Sequence, residues 1–171
     1  MRMKISIRAA LIDEKPAIWR LYESAMKQHI EAIWGWDAAW QIADFDQAFS
    51  ASSTYIVEVD GEFSGYVQLD LGTVENYLRM IVLLPEFRSL GIGARLLAEI
   101  LRVSRHGGRN LRLRVFRTNV AAKRFYEREG WLVAADDGDF FVMRHQTSLA
   151  AATSKASHEP TAKHFEICTM L

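Results

Sequence analysis

Residues 83–94, LLPEFRSLGIGA, lie between a predicted strand and a predicted amphipathic helix. Pro85 ends the strand, and the helix starts near Gly91. Gly91 and Gly93 let backbone N–H groups approach a ligand closely, and the positive end of the helix dipole favours an anion there. Arg88 adds a guanidinium for charge-assisted hydrogen bonds. The segment therefore predicts a binding site for a phosphate or pyrophosphate group.

Two other phosphate-binding motifs do not fit this segment. A dinucleotide fingerprint needs a third small residue and, about twenty residues later, an acidic one. Leu96 and the basic stretch of residues 109–112 stand at those places. A Walker loop needs Gly-Lys-Ser/Thr, which the chain does not contain. The simplest alternative is a glycine-rich helix start with a solvated Arg88.

Towards the N-terminus, residues 54–59 and 63–69 are predicted to form a β-hairpin. Asp60-Gly61 between them supplies the positive φ angles that a two-residue turn requires. A strand over residues 4–8 precedes a helix that Asp13 caps and that reaches His29 or Trp34, and a second helix follows Asp37.

Towards the C-terminus the same kind of pattern predicts four strands and two helices. They are a strand over 77–84, a helix from Gly91 to Gly107-Gly108, a strand over 111–116, a helix over 121–129, and strands over 131–135 and 140–145. This order predicts an α/β fold, in which helices flank a mixed, largely antiparallel central sheet with one parallel crossover. The domain is expected to span residues 1–146, with 147–171 as a C-terminal tail outside the core.

Composition narrows the classes of partner. Lys plus Arg and Asp plus Glu number 21 each over 171 residues, so no general attraction to nucleic acid or anionic membrane is predicted. No apolar run is long enough for a membrane span or a signal peptide. Cys168 is the single cysteine, and with His158 and His164 it has no metal-ligand spacing, so no metal site is predicted. A cytoplasmic location is expected.

Two motifs together carry a resemblance to a known family. Arg88-x-x-Gly91-x-Gly93-Ala94 is similar to the acetyl-CoA signature of the GNAT family of N-acetyltransferases. Residues 119–131, NVAAKRFYEREGW, look like the family's later Asn-x-x-Ala-x-x-Phe-Tyr-x-x-x-Gly-Phe segment. The resemblance extends from about residue 4 to residue 145 and implies a single GNAT-like domain, with splayed strands at the acetyl-CoA site.

The resemblance also implies a cofactor, acetyl-CoA as acetyl donor, and the residues that bind it. Backbone groups of residues 81–83 would meet the pantetheine arm and the thioester, backbone amides of residues 88–94 the pyrophosphate, and Asn119 the pantetheine arm. The implied cofactor-binding set is Ile81, Val82, Leu83, Arg88, Ser89, Leu90, Gly91, Ile92, Gly93, Ala94, Asn119 and Tyr126.

Two residues are candidates for catalysis. Tyr126 matches the tyrosine that protonates the departing sulfur, although it could instead only pack beside Phe125. Glu75 lies at the start of the strand that carries the acetyl site, where several relatives place a general base acting through water. The alternative for Glu75 is a solvated carboxylate in a turn. Three other residues are alternative candidates for the general base, because they lie in the first two predicted helices or the link between them: His29, Glu31 and Asp37.

The first two helices usually wall the acceptor pocket in this family. Trp34, Trp36, Asp37 and Glu31 are therefore expected to bind the substrate, the tryptophans as an apolar wall and Asp37 by attracting an ammonium group. The alternatives are core packing for the tryptophans and helix capping for Asp37.

The predicted function is N-acetyltransferase, with a primary amine of a small molecule attacking the thioester directly, without an acyl-enzyme. A protein N-terminal or lysine acetyltransferase and a non-catalytic acyl-CoA-binding module are the alternatives. The arginines between residues 102 and 117 could meet the 3'-phosphate of coenzyme A, and Arg112 and Arg114 are expected on one solvated strand face. Pairing as a homodimer is left open by the resemblance.

Overall fold

The structure, a computed structural model, describes residues 3–151 as a seven-stranded sheet with helices on both faces. The strands are β1 (Ile5–Ala9), β2 (Ser53–Val59), β3 (Glu62–Asp70), β4 (Glu75–Leu83), β5 (Asn110–Phe116), β6 (Trp131–Asp137) and β7 (Phe140–His145). The helices are α1 (Lys15–Trp34), α2 (Ala38–Ala51), α3 (Ile92–His106), α4 (Val120–Arg128) and α5 (Gln146–Ala151). The α/β fold predicted from the sequence is confirmed.

The strands lie in the order β1-β2-β3-β4-β5-β7-β6, and neighbours are antiparallel except for β4 and β5. The parallel pair is joined by α3, which is the crossover that a parallel connection needs. This single crossover brings the C-terminal half of β4, the start of α3 and the C-terminal half of β5 to one edge of the domain.

Each face of the sheet buries its own apolar cluster. On one face, residues of α3 such as Leu96 and Ile100 pack against Leu111 and Leu113 of β5. On the other face, residues of α1 and α2 pack against β2, β3 and β4, with Ile18 as a fully buried member. The alternation of side chains along each strand supplies both clusters from the same sheet.

Of the two helix caps considered from the sequence, the one at Asp37 is confirmed and the one at Asp13 is wrong. Asp37 caps α2, because its carboxylate accepts the backbone N–H of Trp40 at 3.0 Å. Asp13 does not cap α1: a 3-10 turn over Ile12–Glu14 precedes the helix, whose N-cap residue is Glu14. The Glu14 carboxylate accepts from the N–H of Leu11 at 2.8 Å and so closes the turn before the helix begins.

The β2–β3 hairpin has the predicted turn, with positive φ angles of 53° at Asp60 and 87° at Gly61. At the other end of the chain, α5 begins at Gln146 and buries Ser148, while the domain boundary after residue 146 remains a prediction. Cys168, His158 and His164 lie outside the described residues. Among residues 3–151, each helix is too short or too polar to cross a bilayer.

The core predicts a large difference between two leucines that both lie in strands. Leu111 is 0% exposed in β5, whereas Leu132 is 48% exposed in β6. We expect Leu111→Ala to lower the free energy of unfolding by about 2–5 kcal/mol, because it leaves a cavity in a packed cluster. Leu132→Ala should change it by less than about 0.5 kcal/mol. Urea unfolding of both variants tests this, and equal effects would contradict the burial.

Candidate active site

The candidate site begins where β4 and β5 separate. The two strands pair only from Glu75–Asn110 to Leu78–Leu113, although β4 continues beside β3 and β5 continues beside β7. Each strand is therefore held on its outer side while a gap opens between them. Backbone groups of residues 79–83 that face the gap have no neighbouring strand there and can bind a ligand.

A bulge in β4 sets which side chains face the gap. Leu69 of β3 pairs with Leu78, but the preceding Gln68 pairs with Met80, so Arg79 is an extra residue. Before the bulge Leu78 faces the α3 side; after it Ile81 packs on that side and Met80 on the α1 and α2 side. The alternation of β4 is thus reversed within the site.

The glycine-rich segment ends in an anion-binding geometry. Ser89 and Gly91 have φ angles of 59° and 77°, and α3 starts at the next residue. The first intrahelical bond of α3 runs from the Arg95 N–H to the Gly91 carbonyl at 3.1 Å. The N–H groups of residues 92–94 precede this bond, so they have no acceptor within the helix. With the helix dipole, they favour a phosphate at this end.

The two glycines differ in conformation and in surroundings. A Cβ at Gly91 would meet open space, so its positive φ is what requires glycine. A Cβ at Gly93 would lie 3.4 Å from Cζ of Phe125, an ordinary contact distance, so α3 packs against α4 at this residue. Arg88 is exposed, and its Nε donates to the carbonyl of Leu83 at 2.8 Å. This bond ties the segment to the end of β4.

A cleft of about 490 Å³ lies between α1 and α2 on one side and the gap on the other. Its apolar and aromatic lining consists of Tyr22, Met26, Ile30, Trp34, Trp40, Phe45, Ala48, Met80, Ile81, Val115, Phe116, Ala122 and Phe140. Its polar lining consists of Gln41, Asp44, Gln68, Tyr77, Arg79, Arg114, Asn119 and Tyr126. The volume and the mostly apolar wall are typical of a small-molecule site.

Tyr126, on α4, both packs in the core and lines the cleft. It is 9% exposed, with ring centroids 5.2 Å from Phe125 and 6.4 Å from Trp131. Burial, and then the neighbouring Tyr77, raise the pKa of the Tyr126 phenol above its usual value. The phenol therefore keeps its proton at neutral pH and can serve as a hydrogen-bond donor.

Asn119 stands at the start of the same helix and also lines the cleft. Its Oδ1 accepts the backbone N–H of Ala122 at 3.1 Å and so caps α4. This hydrogen bond involves only the side-chain oxygen, so the N–H groups of the Asn119 side-chain amide take no part in it. The amide is thus oriented by its own helix.

Glu75 is not in the lining of the cleft. Its carboxylate, 23% exposed, forms an ion pair with Arg112 at 3.0 Å and accepts from both terminal nitrogens of Arg144. The carboxylate is therefore held between two arginines, partly exposed, and it lies outside the cleft lining. The physical reason is the strand itself, which carries Glu75 about 20 Å from Ile81 at 3.3 Å a residue.

Of the four residues expected to bind the acceptor, the structure brings Trp34 alone into the described lining. The indole Nε1 of Trp34 donates to Asp139 Oδ2 at 2.9 Å, and its ring lies 5.8 Å from the rings of Phe116 and Phe140. Trp34 is still 56% exposed. It forms one end of the aromatic wall.

The remaining three lie elsewhere. Trp36 packs 6.3 Å from Trp19, Asp37 caps α2, and Glu31 is exposed on α1. The substrate-binding expectation for these three is therefore not supported by the cleft, and the capping alternative holds for Asp37. His29, a rival base, shares a hydrogen bond with Thr118 at 3.0 Å, and burial lowers its pKa.

Sequence reasoning missed the charged residues that do line the cleft. Asp44 follows Gln41 and precedes Phe45 and Ala48 on one face of α2, a spacing that could have indicated a polar position among core residues. Arg114 was expected on a solvated face. Instead it is half-buried, pairs with Asp137 and stacks over Phe140.

The chain matches a family model described as the acetyltransferase (GNAT) family over residues 16–131. It is 30% identical over 93 residues to a 5-NmdU N-acetyltransferase of Pseudomonas phage PaMx11 and 38% identical over 79 residues to an uncharacterized N-acetyltransferase of Archaeoglobus fulgidus. These matches cover 53% and 42% of this chain but 65% and 54% of those proteins, less than two thirds of either.

Solved structures of acetyltransferases have the same fold as this chain. A PaiA N-acetyltransferase from Thermoplasma acidophilum, in complex with coenzyme A, superposes with a TM-score of 0.67 at 21% identity, covering 82% of this chain and 98% of that one. A GNAT family acetyltransferase from Elizabethkingia anophelis with acetyl-CoA bound gives 0.61 at 13% identity, covering 82% and 97%. At these identities the likeness concerns the fold.

The position of Glu75 predicts a role in stability. We expect Glu75→Gln to lower the free energy of unfolding by about 1–3 kcal/mol, because Arg112 and Arg144 lose the carboxylate between them. The matched control is Glu62→Gln, an exposed glutamate at the start of β3, which should have little effect. Denaturant unfolding measures both. A loss no larger than that of the control would show that the arginines do not depend on this carboxylate.

Proposed function

The chain belongs to the GNAT acetyltransferase family, and from this premise we propose that it transfers the acetyl group of acetyl-CoA to the primary amine of a small molecule. One observation carries the proposal: the gap between β4 and β5 connects the free N–H groups at the start of α3 with the apolar cleft. A long cofactor with an anionic middle and a reactive end fits such an arrangement.

The cofactor would lie along residues whose geometry suits each of its parts. The N–H groups of residues 92–94 and the guanidinium of Arg88 suit the pyrophosphate, given the charge and the helix dipole. The backbone of residues 81–83, beside the gap, suits the amides of the pantetheine arm. Asn119 has amide N–H groups to donate to the same arm. Relatives crystallised with coenzyme A and acetyl-CoA support this choice.

The reaction proposed is direct attack of the amine on the thioester. The neutral amine nitrogen forms a bond to the acetyl carbon, and the carbon–sulfur bond breaks. The nitrogen then loses one proton to solvent, and the thiolate takes up one proton from solvent to leave as coenzyme A. The described lining of the cleft contains no Ser, Thr or Cys that could carry an acyl group. Positioning of the two substrates therefore supplies most of the catalysis.

Tyr126 is proposed to donate a hydrogen bond to the departing sulfur. A thiol has a pKa of about 8.5, below the pKa of an ordinary tyrosine and further below that of the buried Tyr126. Complete proton transfer from Tyr126 would thus be uphill, and the phenol stabilises the thiolate while keeping most of its proton. Glu75 is not carried into this mechanism, since its oxygens face arginines outside the cleft.

The cleft favours a small acceptor over a protein. Its volume of about 490 Å³ falls in the range of small-molecule sites, and α1 and α2 close one side of it. The non-catalytic module is disfavoured because a protonated phenol lies in the cleft, where binding of the cofactor alone does not need one.

The proposed function is tested first by calorimetry with acetyl-CoA, then by thiol release with amines, amino acids, polyamines, aminoglycosides and peptides. Binding and amine-dependent thiol release are expected. Binding without release for every amine would favour the non-catalytic module. Absence of acetyl-CoA binding would reject the proposal.

Removal of one hydroxyl tests the role of Tyr126. We expect Tyr126→Phe to lower kcat by at least about 100-fold while the Kd for acetyl-CoA stays nearly unchanged, because the hydroxyl acts on the developing thiolate. Steady-state kinetics and calorimetry measure the two quantities.

The matched control is Tyr66→Phe. Tyr66 is fully buried outside the cleft lining, and its hydroxyl has no hydrogen-bond partner among the described residues. Its removal should leave kcat unchanged. Equal rates for Tyr126→Phe and the wild type would limit Tyr126 to packing.

A further inference from the structure

The charges in the cleft lining are few and lie on opposite walls. Among its described residues, the acidic and basic side chains are Asp44, Arg79 and Arg114. Asp44 stands on α2, and the two arginines stand on β4 and β5. A ligand in the cleft therefore meets a negative charge on one side and two positive charges on the other.

The two arginines occupy equivalent places at the point where the gap opens. Pairing of β4 with β5 ends at Leu78–Leu113, and the next residue on each strand is an arginine, Arg79 and Arg114. Burial raises the pKa of Tyr77, and Arg114 and Arg79 oppose that shift, so both guanidinium groups act on the same phenol. Both arginines line the cleft beside Tyr77, where an anionic group of a ligand can bind them.

Each arginine already forms an ion pair with one carboxylate, and the two carboxylates belong to different residues. Arg79 pairs with Asp70 at 3.1 Å and Arg114 with Asp137 at 2.6 Å. Arg114 also stacks over the ring of Phe140 at 4.0 Å, which fixes the guanidinium plane. Its Nε is buried without a hydrogen-bond partner among the described residues. The Arg114 side chain as a whole is 32% exposed and lines the cleft, so a ligand oxygen meets the exposed part of the guanidinium and not the buried Nε.

Resting on the proposed function, we infer that the acceptor is an α-amino acid with an apolar or aromatic side chain. Its carboxylate binds Arg114 and Arg79 at the opening of the gap, which keeps the amine on the adjacent carbon close to the thioester. Asp44 attracts the ammonium form from the opposite wall. The side chain lies against the aromatic wall of Trp34, Phe116 and Phe140.

The first experiment measures acceptor binding without catalysis. Wild-type protein saturated with coenzyme A is titrated with phenylalanine, phenylalaninamide and phenethylamine, and with the leucine counterparts, while tryptophan fluorescence is followed. Trp34 and Trp40 line the cleft and report occupancy. We expect each amino acid to bind at least about tenfold more tightly than its amide or its decarboxylated amine, because each lacks the carboxylate.

Equal or weaker binding of the amino acids overturns the inference, and so does the absence of binding by both phenylalanine and leucine. The same titrations without coenzyme A make the answer independent of the cofactor. If acetyl-CoA binds and amines without a carboxylate are acetylated in preference to amino acids, the proposed function stands and the inference fails. If acetyl-CoA does not bind, the proposed function fails, whatever the amino acids do.

Variants locate the carboxylate site. Arg114→Gln and Arg79→Gln should each reduce the preference for the amino acid over its amide about tenfold, because each removes a charged donor. Arg112→Gln is the control: Arg112 is also a strand arginine, paired with Glu75 and 4.6 Å from the Tyr77 ring, but it does not line the cleft. It should leave the preference unchanged. An equal loss in all three would assign the effect to general charge.

The amine side has its own pair of variants. Asp44→Asn should weaken binding of phenylalanine and phenethylamine alike, because both carry the ammonium group. Asp46→Asn, on the same helix but paired with Lys15 at 2.6 Å outside the cleft, should weaken neither. Thermal unfolding and coenzyme A affinity show whether each variant is folded. If Arg114→Gln does not fold, Arg79→Gln and the wild-type titrations still decide the question.

Discussion

The loss of pairing between β4 and β5 after Leu78–Leu113 is the constraint on which the site depends. Strands in a sheet satisfy their backbone groups through their neighbours, and here two central strands give up that pairing over their last residues. The gap persists because β3 holds β4 and β7 holds β5 from outside. The interior of the sheet thereby offers main-chain donors and acceptors, which are otherwise found only at its edges.

The gap also explains why distant segments work together. The connection between the only parallel strands of the described sheet is α3, so the helix must start beside the end of β4 and return beside the start of β5. Its N-terminus is thus fixed at the gap by topology. At Gly93, α3 packs against Phe125 of α4, the helix that also carries Tyr126. The anion-binding end and the phenol are positioned by one packing contact between helices.

Much of the fold could be predicted from the sequence, because short-range signals determine its elements. Asp60-Gly61, the glycines of the phosphate turn and the apolar periodicity of α3 are short-range signals, and the structure confirms the elements they predicted. The site was harder, because its members meet through tertiary structure. Glu75 lies on the strand that borders the gap, but at the opposite end of that strand. The Asp37 carboxylate accepts the hydrogen bond that caps α2. Asp44 and Arg114 carry no motif, and their positions in the cleft follow from how α2 and β5 pack.

The bulge at Arg79 has a consequence for how β4 can change over evolution. Side chains before and after it are assigned to opposite faces by a shift of one position, much as a reading frame assigns bases to codons. Deleting Arg79 would act on the strand as a compensating deletion acts on a gene with one extra base: Leu78, Met80 and Ile81 would keep their faces, and regular alternation would return. The loss of one residue at the bulge is therefore easier for β4 to accommodate than the loss of one from a regularly paired stretch of the same strand.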